Sequence, residues 1–419
     1  MECLKVAVIG AGPAGLTLAR LLQLHGPSIK CTVFESDVDR HAKNRGGSLD
    51  LHPDSGQQAL KEAGLFDDFQ KLARPEGETL RIITPDGIVL LDESSPGKAH
   101  RPSEFANRPE IDRKDLRNML LDSLSPGTVH WNSKLLRVDD GPDSKVQLIF
   151  ADGGEVGFDL VVGADGAWSR VRPSLTDTEP FYSGIGGLDC RIPDVDLMHP
   201  ELSAHVGKGM CLNLGSDKGI MCQRNGDGAV QLYAFARLPK EWFSNCGIVF
   251  DDPSARKRIV DALYPEFSAL QKSLVLDSDP NTVARQLYML PVGFQWRHNS
   301  RITLIGDAAH LMTPFAGVGV NVAMQDAMEL AHAIRGTPRA DLGSGLREFE
   351  VAMWQRAKQN AEATMMYLNL FFHERGGYAM VEHFAAKLLD EEGLVGGKGE
   401  EKETSQAGMV EVGDVGGAV

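Results

Sequence analysis

The sequence predicts an α/β fold: a domain of strand, turn and helix units around a parallel sheet, a second β-rich domain inserted into it, and helices at the C-terminal end. Three observations carry that prediction. Leu4 to Ile9 is an apolar strand followed at once by a G-x-G-x-x-G spacing at Gly10, Gly12 and Gly15, and then by a helix running to about His25. A buried-type strand ending in a Gly-rich turn with one carboxylate recurs twice, around Asp165 and around Asp307. Between about Ser174 and Pro291 the pattern shifts to short β-type segments separated by Gly-rich turns.

In the first unit Gly10 permits the turn, Gly12 lets backbone approach a pyrophosphate, and Gly15 lets helix pack on strand. Pro13 and Ala14 open the helix. Lys30 to Phe34 is the next strand, and Glu35 at its end is placed to accept hydrogen bonds from a ribose diol. This is a dinucleotide fingerprint in its required context. Arg45 to His52 reads as a strand after a Gly-Gly turn, with Lys43 and Arg45 adding positive charge beside it. Ser55 to Ala63 and Phe66 to Leu72 are expected as short helices, and Leu80 to Leu91 as a hairpin closed by Pro85-Asp86-Gly87. A helix is expected from Asp112 as N-cap, with Leu116, Met119 and Leu120 inward and Arg113 and Arg117 sharing a face.

The second unit, Asp159 to Pro173, is read as strand, Gly-Ala-Asp-Gly turn and helix start, which puts Asp165 at a strand's carboxyl end, where open α/β sheets bind ligands. In the third, Arg301 to Ile305 is the strand, Asp307 the carboxylate, and helical spacing begins at about Val318. A helix that starts in a Gly-rich loop presents backbone N–H groups and a positive dipole end, so an anionic ligand is expected. The domain boundaries follow: 1–173 and 292–340 form the nucleotide domain, 174–291 the substrate domain, 341–389 the C-terminal helices, and 390–419 a disordered acidic, Gly-rich tail.

A chain of 419 residues with 42% hydrophobic and 24% charged content is ordinary for a globular protein with a substantial core. The formal charge of −15 argues against nucleic acid or anionic membranes as partners. Six cysteines without a C-x-x-C pair suggest neither a zinc site nor a disulfide scaffold. No metal is expected. The first strand begins without a signal-peptide pattern and no long apolar run occurs, so a cytoplasmic protein, and a monomer, are expected.

Together the three motifs resemble the single-component, FAD-dependent aromatic hydroxylases, the group A flavoprotein monooxygenases. Gly10-x-Gly-x-x-Gly15 is similar to their adenosine-phosphate fingerprint, Gly163-Ala-Asp-Gly-Ala-Trp-Ser-Arg-Val-Arg172 to their second motif, and Gly306-Asp-Ala-Ala-His310 with Pro314, Gly317, Gly319 and Asn321 to their flavin motif. The resemblance implies a Rossmann-like FAD-binding domain of the GR2 type, like that of para-hydroxybenzoate hydroxylase, with a β-sheet substrate domain and a C-terminal helix. Within that family the chain looks most like the tetracycline-inactivating monooxygenases, the tetracycline destructases, in Gly46 to His52, Pro109 to Arg117 and Pro314 to Asn321.

Carried over by position, the resemblance implies FAD contacts at Gly10, Gly12, Pro13, Ala14, Gly15, Glu35, Arg45, Gly47, Asp50, Arg113, Arg117, Asp165, Asp307, Pro314, Gly317, Gly319, Val320 and Asn321. It implies a transient NADPH contact at Lys43, and a substrate pocket at Leu188, Met210, Gln231, Pro314, Phe315 and Gly317. Val318 departs from the family's usual glutamine, and the central segment around Leu188, Gly209 and Gln231 departs from the polar residues by which a destructase holds its antibiotic. The expected activity is an NAD(P)H- and O2-consuming hydroxylation of an electron-rich phenol or enol in a polycyclic substrate, such as an aromatic polyketide or a tetracycline. Two alternatives stay open: a flavin oxidase or dehydrogenase on the same fold, and a non-catalytic flavin-binding module. No residue is singled out as a general base.

Overall fold

The computed structural model describes residues 3–42, 46–95, 102, 106–141, 145–248, 252 and 254–391. Lys43, Arg45 and the tail from 392 onward lie outside the described residues.

A five-stranded sheet, parallel throughout, carries the nucleotide domain in the order Ile302–Leu304, Leu160–Gly163, Leu4–Ile9, Ile29–Phe34, Val129–His130. The strands that lead into the three motifs are therefore neighbours. Ile9 pairs with Gly163 and Gly163 with Leu304, so all three strands end at the same edge. Val6, Val8, Leu160, Val162 and Leu304 are fully buried, as expected of a parallel sheet covered on both faces.

The second domain is a seven-stranded sheet: Val283–Met289, Phe181–Ile192, Val230–Arg237, Lys218–Arg224, Met210–Gly215, Leu80–Ile83 and Val89–Asp92, in that order. Its last two strands correct the expected boundary at residue 173. The Leu80 to Asp92 hairpin pairs parallel to Met210–Gly215 and belongs to this sheet. A short-range reading assigns a hairpin to its sequence neighbours, whereas a parallel pairing across about 130 residues leaves no local trace.

Alternation divides the sheet's side chains between two cores. Leu188, Cys190, Ile220, Leu232 and Ala234 cluster with Ile259 of helix Ala255–Leu263 and Leu274 of helix Ala269–Leu276. The latter helix opens with a capping box between Ser268 and Gln271. On the opposite face Leu212, Leu214, Met221 and Phe235 cluster with Phe315 and with Phe371 and Phe372 at the end of the helix Leu342–Phe371. This second face is turned toward the third motif.

The remaining strands form an antiparallel sheet of Leu135–Asp140, Val146–Phe150 and Gly153–Phe158, and a ribbon of Ser48–Asp50 with Glu110–Asp112. The long C-terminal helix is held to the nucleotide sheet by Glu350, which has no exposed surface. Its carboxylate accepts from Thr303 Oγ1 at 2.9 Å and Trp296 Nε1 at 3.3 Å, and meets His298 Nδ1 at 2.6 Å. All six cysteines are free thiols. Among the described residues no helix is long and apolar enough to cross a membrane, and no His, Cys, Asp and Glu cluster could hold a metal.

Candidate functional site: the convergent turns

Close backbone packing explains why the first turn is made of glycine. Gly10 has φ +107°, and a Cβ there would lie 2.3 Å from the Ala164 carbonyl oxygen of the second motif; one on Gly15 would lie 2.1 Å from the Gly10 oxygen. Gly12 is different, since nothing lies within 4 Å of its Cβ position. It is also the N-cap of helix Pro13–Gln23, with no side-chain cap. Open space in front of an uncapped helix N-terminus is the cradle a pyrophosphate requires.

Glu35 holds that loop. Its carboxylate accepts Ala11 N–H at 2.7 Å and Asp37 N–H at 2.9 Å, and Ser36 Oγ at 3.1 Å. The side chain expected to grip a ribose therefore also fixes the chain that surrounds it. Arg117, from helix Arg113–Asp122, donates to Ala11 O at 3.2 Å, pairs with Asp37 at 3.0 Å and lies 5.6 Å over the Trp131 ring. Asp112 stands at the expected N-cap position of that helix, but its side chain makes no capping hydrogen bond: it pairs with Arg74 at 2.6 Å and accepts Gly226 N–H at 3.1 Å, tying the ribbon to the large sheet.

The second motif is a closed loop and not a helix start, because only a three-residue 3-10 turn, Arg172–Ser174, follows it, with Pro173 inside. Asp165 Oδ2 accepts Arg170 N–H at 2.6 Å, while its Oδ1 is buried without a partner among the described residues. Burial raises this carboxyl above its ordinary value, against the hydrogen bonds from Ser169 and the Arg170 backbone. Arg172, 4% exposed, donates to Ala167 O at 2.7 Å and to Ala308 O at 3.1 Å, and so bolts the second motif to the third.

In the third motif Gly306 has φ +60°, and a Cβ there would lie 3.4 Å from the Ala14 Cβ of the first helix. Three segments separated by more than a hundred residues each thus touch. Asp307 is exposed and makes no hydrogen bond among the described residues, which leaves its carboxylate available to a polyol. Beneath it lies a buried network that sequence reasoning missed. Asp326 accepts Gly306 N–H at 3.0 Å, meets His310 Nε2 at 2.5 Å and pairs with Arg356 at 2.9 Å. Burial alone would raise Asp326, but the His310 and Arg356 charges outweigh it and hold the carboxyl below its ordinary range. Burial alone would lower His310; the charge and hydrogen bond of Asp326 outweigh it, and the imidazole is raised. The signal was present in the sequence, since an acid on an otherwise apolar helix face needs a buried partner.

Asn321, 1% exposed, joins the ribbon to the loop before helix Gly319–Gly336. It donates to Asp50 O at 2.8 Å and accepts His52 N–H at 2.8 Å. Asp50 then flanks Gly317, whose Cβ position lies 3.4 Å from both carboxylate oxygens. Pro314 and Gly319 are exposed, Val320 is half-buried against the core, and nothing lies within 4 Å of the Gly319 Cβ position. A second uncapped helix N-terminus therefore opens here. Cross-strand from Asp50 stands Glu110, buried and with Oε2 unpartnered among the described residues. Burial, then the Asp50 charge, push its carboxyl up to about 8.

The expected substrate residues divide. Gln231 lies on the sheet face turned to the ribbon: its Cγ is 3.4 Å from the Gly47 Cβ position, as is the Tyr233 hydroxyl. Arg113 packs on Gly46, its Cδ 2.9 Å from that Cβ position. Met210 lies at the rim, in register with Gln223 and Leu80. Phe315 is buried against Phe371 and Phe372, ring centroids 5.2 and 5.1 Å away, and forms a floor between sheet and C-terminal helix. Leu188 is a correction. It sits in the outer core with Ile259 and Leu274, facing away from Gly47, because alternation sends even-numbered residues of this strand to the other face.

The FAD binding domain family matches residues 3–342. This chain belongs to that family. It is an FAD-dependent monooxygenase of the aromatic hydroxylase type. The chain is similar to monooxygenase asqM of Emericella nidulans, 32% identical over 88% of this chain and 96% of that protein. In fold it is similar to Klebsiella pneumoniae HpxO complexed with FAD and uric acid, with a TM-score of 0.72 and 22% identity over 92% of each chain. It also shares the fold of the tetracycline destructase Tet(51), TM-score 0.68 and 20% identity over 94% of this chain and 97% of the other.

Proposed function

We propose that this FAD-dependent monooxygenase hydroxylates an electron-rich phenolic or enolic ring in a polycyclic, tetracycline-like or polyketide-like substrate, with NADPH as reductant. The observation that carries the reading is the placement of the large sheet's inner face, with Gln231 and Tyr233, directly against the Gly46-Gly47 loop and Phe315. A ring system held there lies between the sheet and the stretch of exposed Pro314, half-buried Gly317 and exposed Gly319.

The residues present fit FAD. Gly12 and the N-terminus of helix Pro13–Gln23 would hold the pyrophosphate, Glu35 and Arg117 the adenosine end, and Asp307 the ribityl hydroxyls. Backbone N–H groups at Gly319, Val320 and Asn321 would hold the polar edge of the flavin ring, where the helix dipole stabilises negative charge. FAD supplies the two-electron chemistry and oxygen activation when bound. The protein contributes position and dryness: Phe315, Met221 and Phe235 build an apolar floor that limits water.

Purified holoenzyme given NADPH, labelled oxygen gas and a panel of phenolic polycycles tests the reading. The expected outcome is accelerated NADPH oxidation with a product heavier by one labelled oxygen atom. Substrate oxidation with peroxide formed and no label incorporated favours the oxidase alternative.

A further inference from the structure

We infer that Tyr233 and Gln231 together hold one un-ionised ring hydroxyl of the substrate, which takes a hydrogen bond from the first and gives one to the second; this deepens the hydroxylase reading and rests on it. Both residues lie on strand Val230–Arg237, two positions apart and so on one face, the face that carries Phe235. Tyr233 stacks on Phe235, ring centroids 5.5 Å apart, and stands in register with Met221 on the next strand. Its hydroxyl and the Gln231 Cγ each lie 3.4 Å from the Gly47 Cβ position, so the two side chains meet over one residue of the loop.

Few polar atoms on this face are open to a ligand. Gln231 turns its amide nitrogen to Asp189 and, at 3.0 Å, to the Cys190 carbonyl. Both partners are acceptors, so the amide orientation is fixed and Oε1 faces away from them as an acceptor. That oxygen makes no hydrogen bond among the described residues and is not closed off from water. The Tyr233 hydroxyl, on a half-buried side chain, is likewise unbonded and open. Gln223 takes no part, because both of its amide atoms are closed off. Met221, Phe235 and Phe315 supply only apolar surface.

One acceptor and one hydroxyl are matched by a group that both gives and takes a proton. A ring hydroxyl does this with a single oxygen. A methyl ether accepts from Tyr233 but sets its oxygen against Gln231 Oε1, and a phenolate does the same while adding a charge. The local field agrees. Burial first, and then Asp189, hold the Tyr233 phenol above its ordinary value against the Arg113 and Arg285 cations. Arg285 is paired with Asp189, and Arg113, the uncommitted cation, packs one residue along the loop on Gly46. A second phenol beside Tyr233 meets the same balance.

The test uses holoenzyme, 7-hydroxycoumarin and 7-methoxycoumarin, with binding read from perturbation of the flavin absorbance. Below the pH of its own ionisation the hydroxy compound is expected to bind about tenfold more tightly than the ether, the ratio that one acceptor left unmatched supports. At the pH where half of the free compound is ionised, the bound compound should keep the absorption band of the neutral form. Gln231→Leu should bring the ratio to within about twofold, whereas a ratio set by methyl bulk would persist. Tyr233→Phe should weaken both compounds alike and leave the ratio, because either oxygen accepts from Tyr233. A phenolate band in the wild-type complex would give the site to Arg113 and overturn the inference. So would absence of binding by the hydroxy compound, a wild-type ratio near one, an undiminished ratio in Gln231→Leu, or wild-type affinities in Tyr233→Phe. Label incorporation into a phenol alongside any of these would leave the hydroxylase reading in place.

Discussion

Asp326 and Gln223 are both polar side chains withdrawn from water, and the two regions around them are built in opposite ways. Asp326 has no exposed surface, and both its oxygens are matched: Gly306 N–H and His310 on one, Arg356 on the other. Around the sheet's inner face the matching stops. Gln223 lacks partners for its whole amide and Glu110 for one oxygen, and the Glu110 carboxyl is pushed to about 8. A buried carboxylate with both oxygens matched specifies the position of what it holds, here the flavin-motif turn, even though Arg356 Nε in the same network is buried without a partner among the described residues. Polar atoms left unmatched in the interior carry a desolvation cost that the folded protein does not recover. One region matches its buried carboxylate; the other leaves polar atoms unsatisfied.

The comparison breaks first at Asp326. Asp326→Ala leaves buried His310 without its carboxylate and Arg356 with Glu329 alone at 2.8 Å, and denaturant titration should show a loss of about 3 kcal/mol. The wild-type pair has a pH signature. His310 is raised, so its contribution is complete below its ordinary value of 6.5 and is lost as pH rises through the raised value. Asp326 is lowered, so its contribution is present above 3.8 and lost as pH falls through the depressed value. The variant should lose both limbs.

Glu110 carries the opposite sign in a second test. Its carboxyl is raised from 4.5 to about 8, so the folded state binds the extra proton and wild-type stability falls as pH rises through that interval. Glu110→Gln should remove this share of the fall, seen as a smaller difference between denaturation midpoints at acid and mildly alkaline pH. An unchanged difference would place the side chain in a wetter setting than the unmatched region requires.

Asn321→Ala breaks two buried hydrogen bonds between ribbon and flavin loop, and should cost about 1–3 kcal/mol in chemical denaturation and lower the flavin content. The smallest stability effects belong to positions whose side chains make no hydrogen bond among the described residues. Gln223→Leu should leave the melting temperature unchanged or raise it, since it removes a desolvated amide that the folded protein does not satisfy. Asp307→Ala should leave melting of the apoprotein nearly unchanged while flavin occupancy falls, because this exposed carboxylate accepts no hydrogen bond among the described residues and acts on its neighbours only through its charge on His310. A large destabilisation by either change would erase the distinction between the two regions.

The three Gly-rich turns were legible because each has a local cause. Gly10, Gly15 and Gly306 stand where a Cβ would collide or where φ is positive, and such positions announce themselves in a sequence as glycine after an apolar strand. Helix Leu342–Phe371 was legible from its periodicity, and the Leu80 hairpin from Pro85-Asp86-Gly87. Membership of the hairpin in the larger sheet was not legible, nor were the helix Ala269–Leu276 and strand Met210–Gly215, whose apolar residues serve long-range neighbours. At Leu188 the residue type suited a pocket, and only the strand's register decided that it faces the other core.

By itself the sequence determined the backbone shapes at the turns and the order of strands and helices, since these depend on φ, ψ and on repeats within a few residues. Which carboxylate meets which cation, whether Asp112 caps a helix or grips Arg74, and which glutamine is left unmatched were decided only in the tertiary structure. Those outcomes depend on the side chains that long-range pairing brings within 3 to 4 Å, a distance set by sheet register and helix docking and not by the neighbours along the chain.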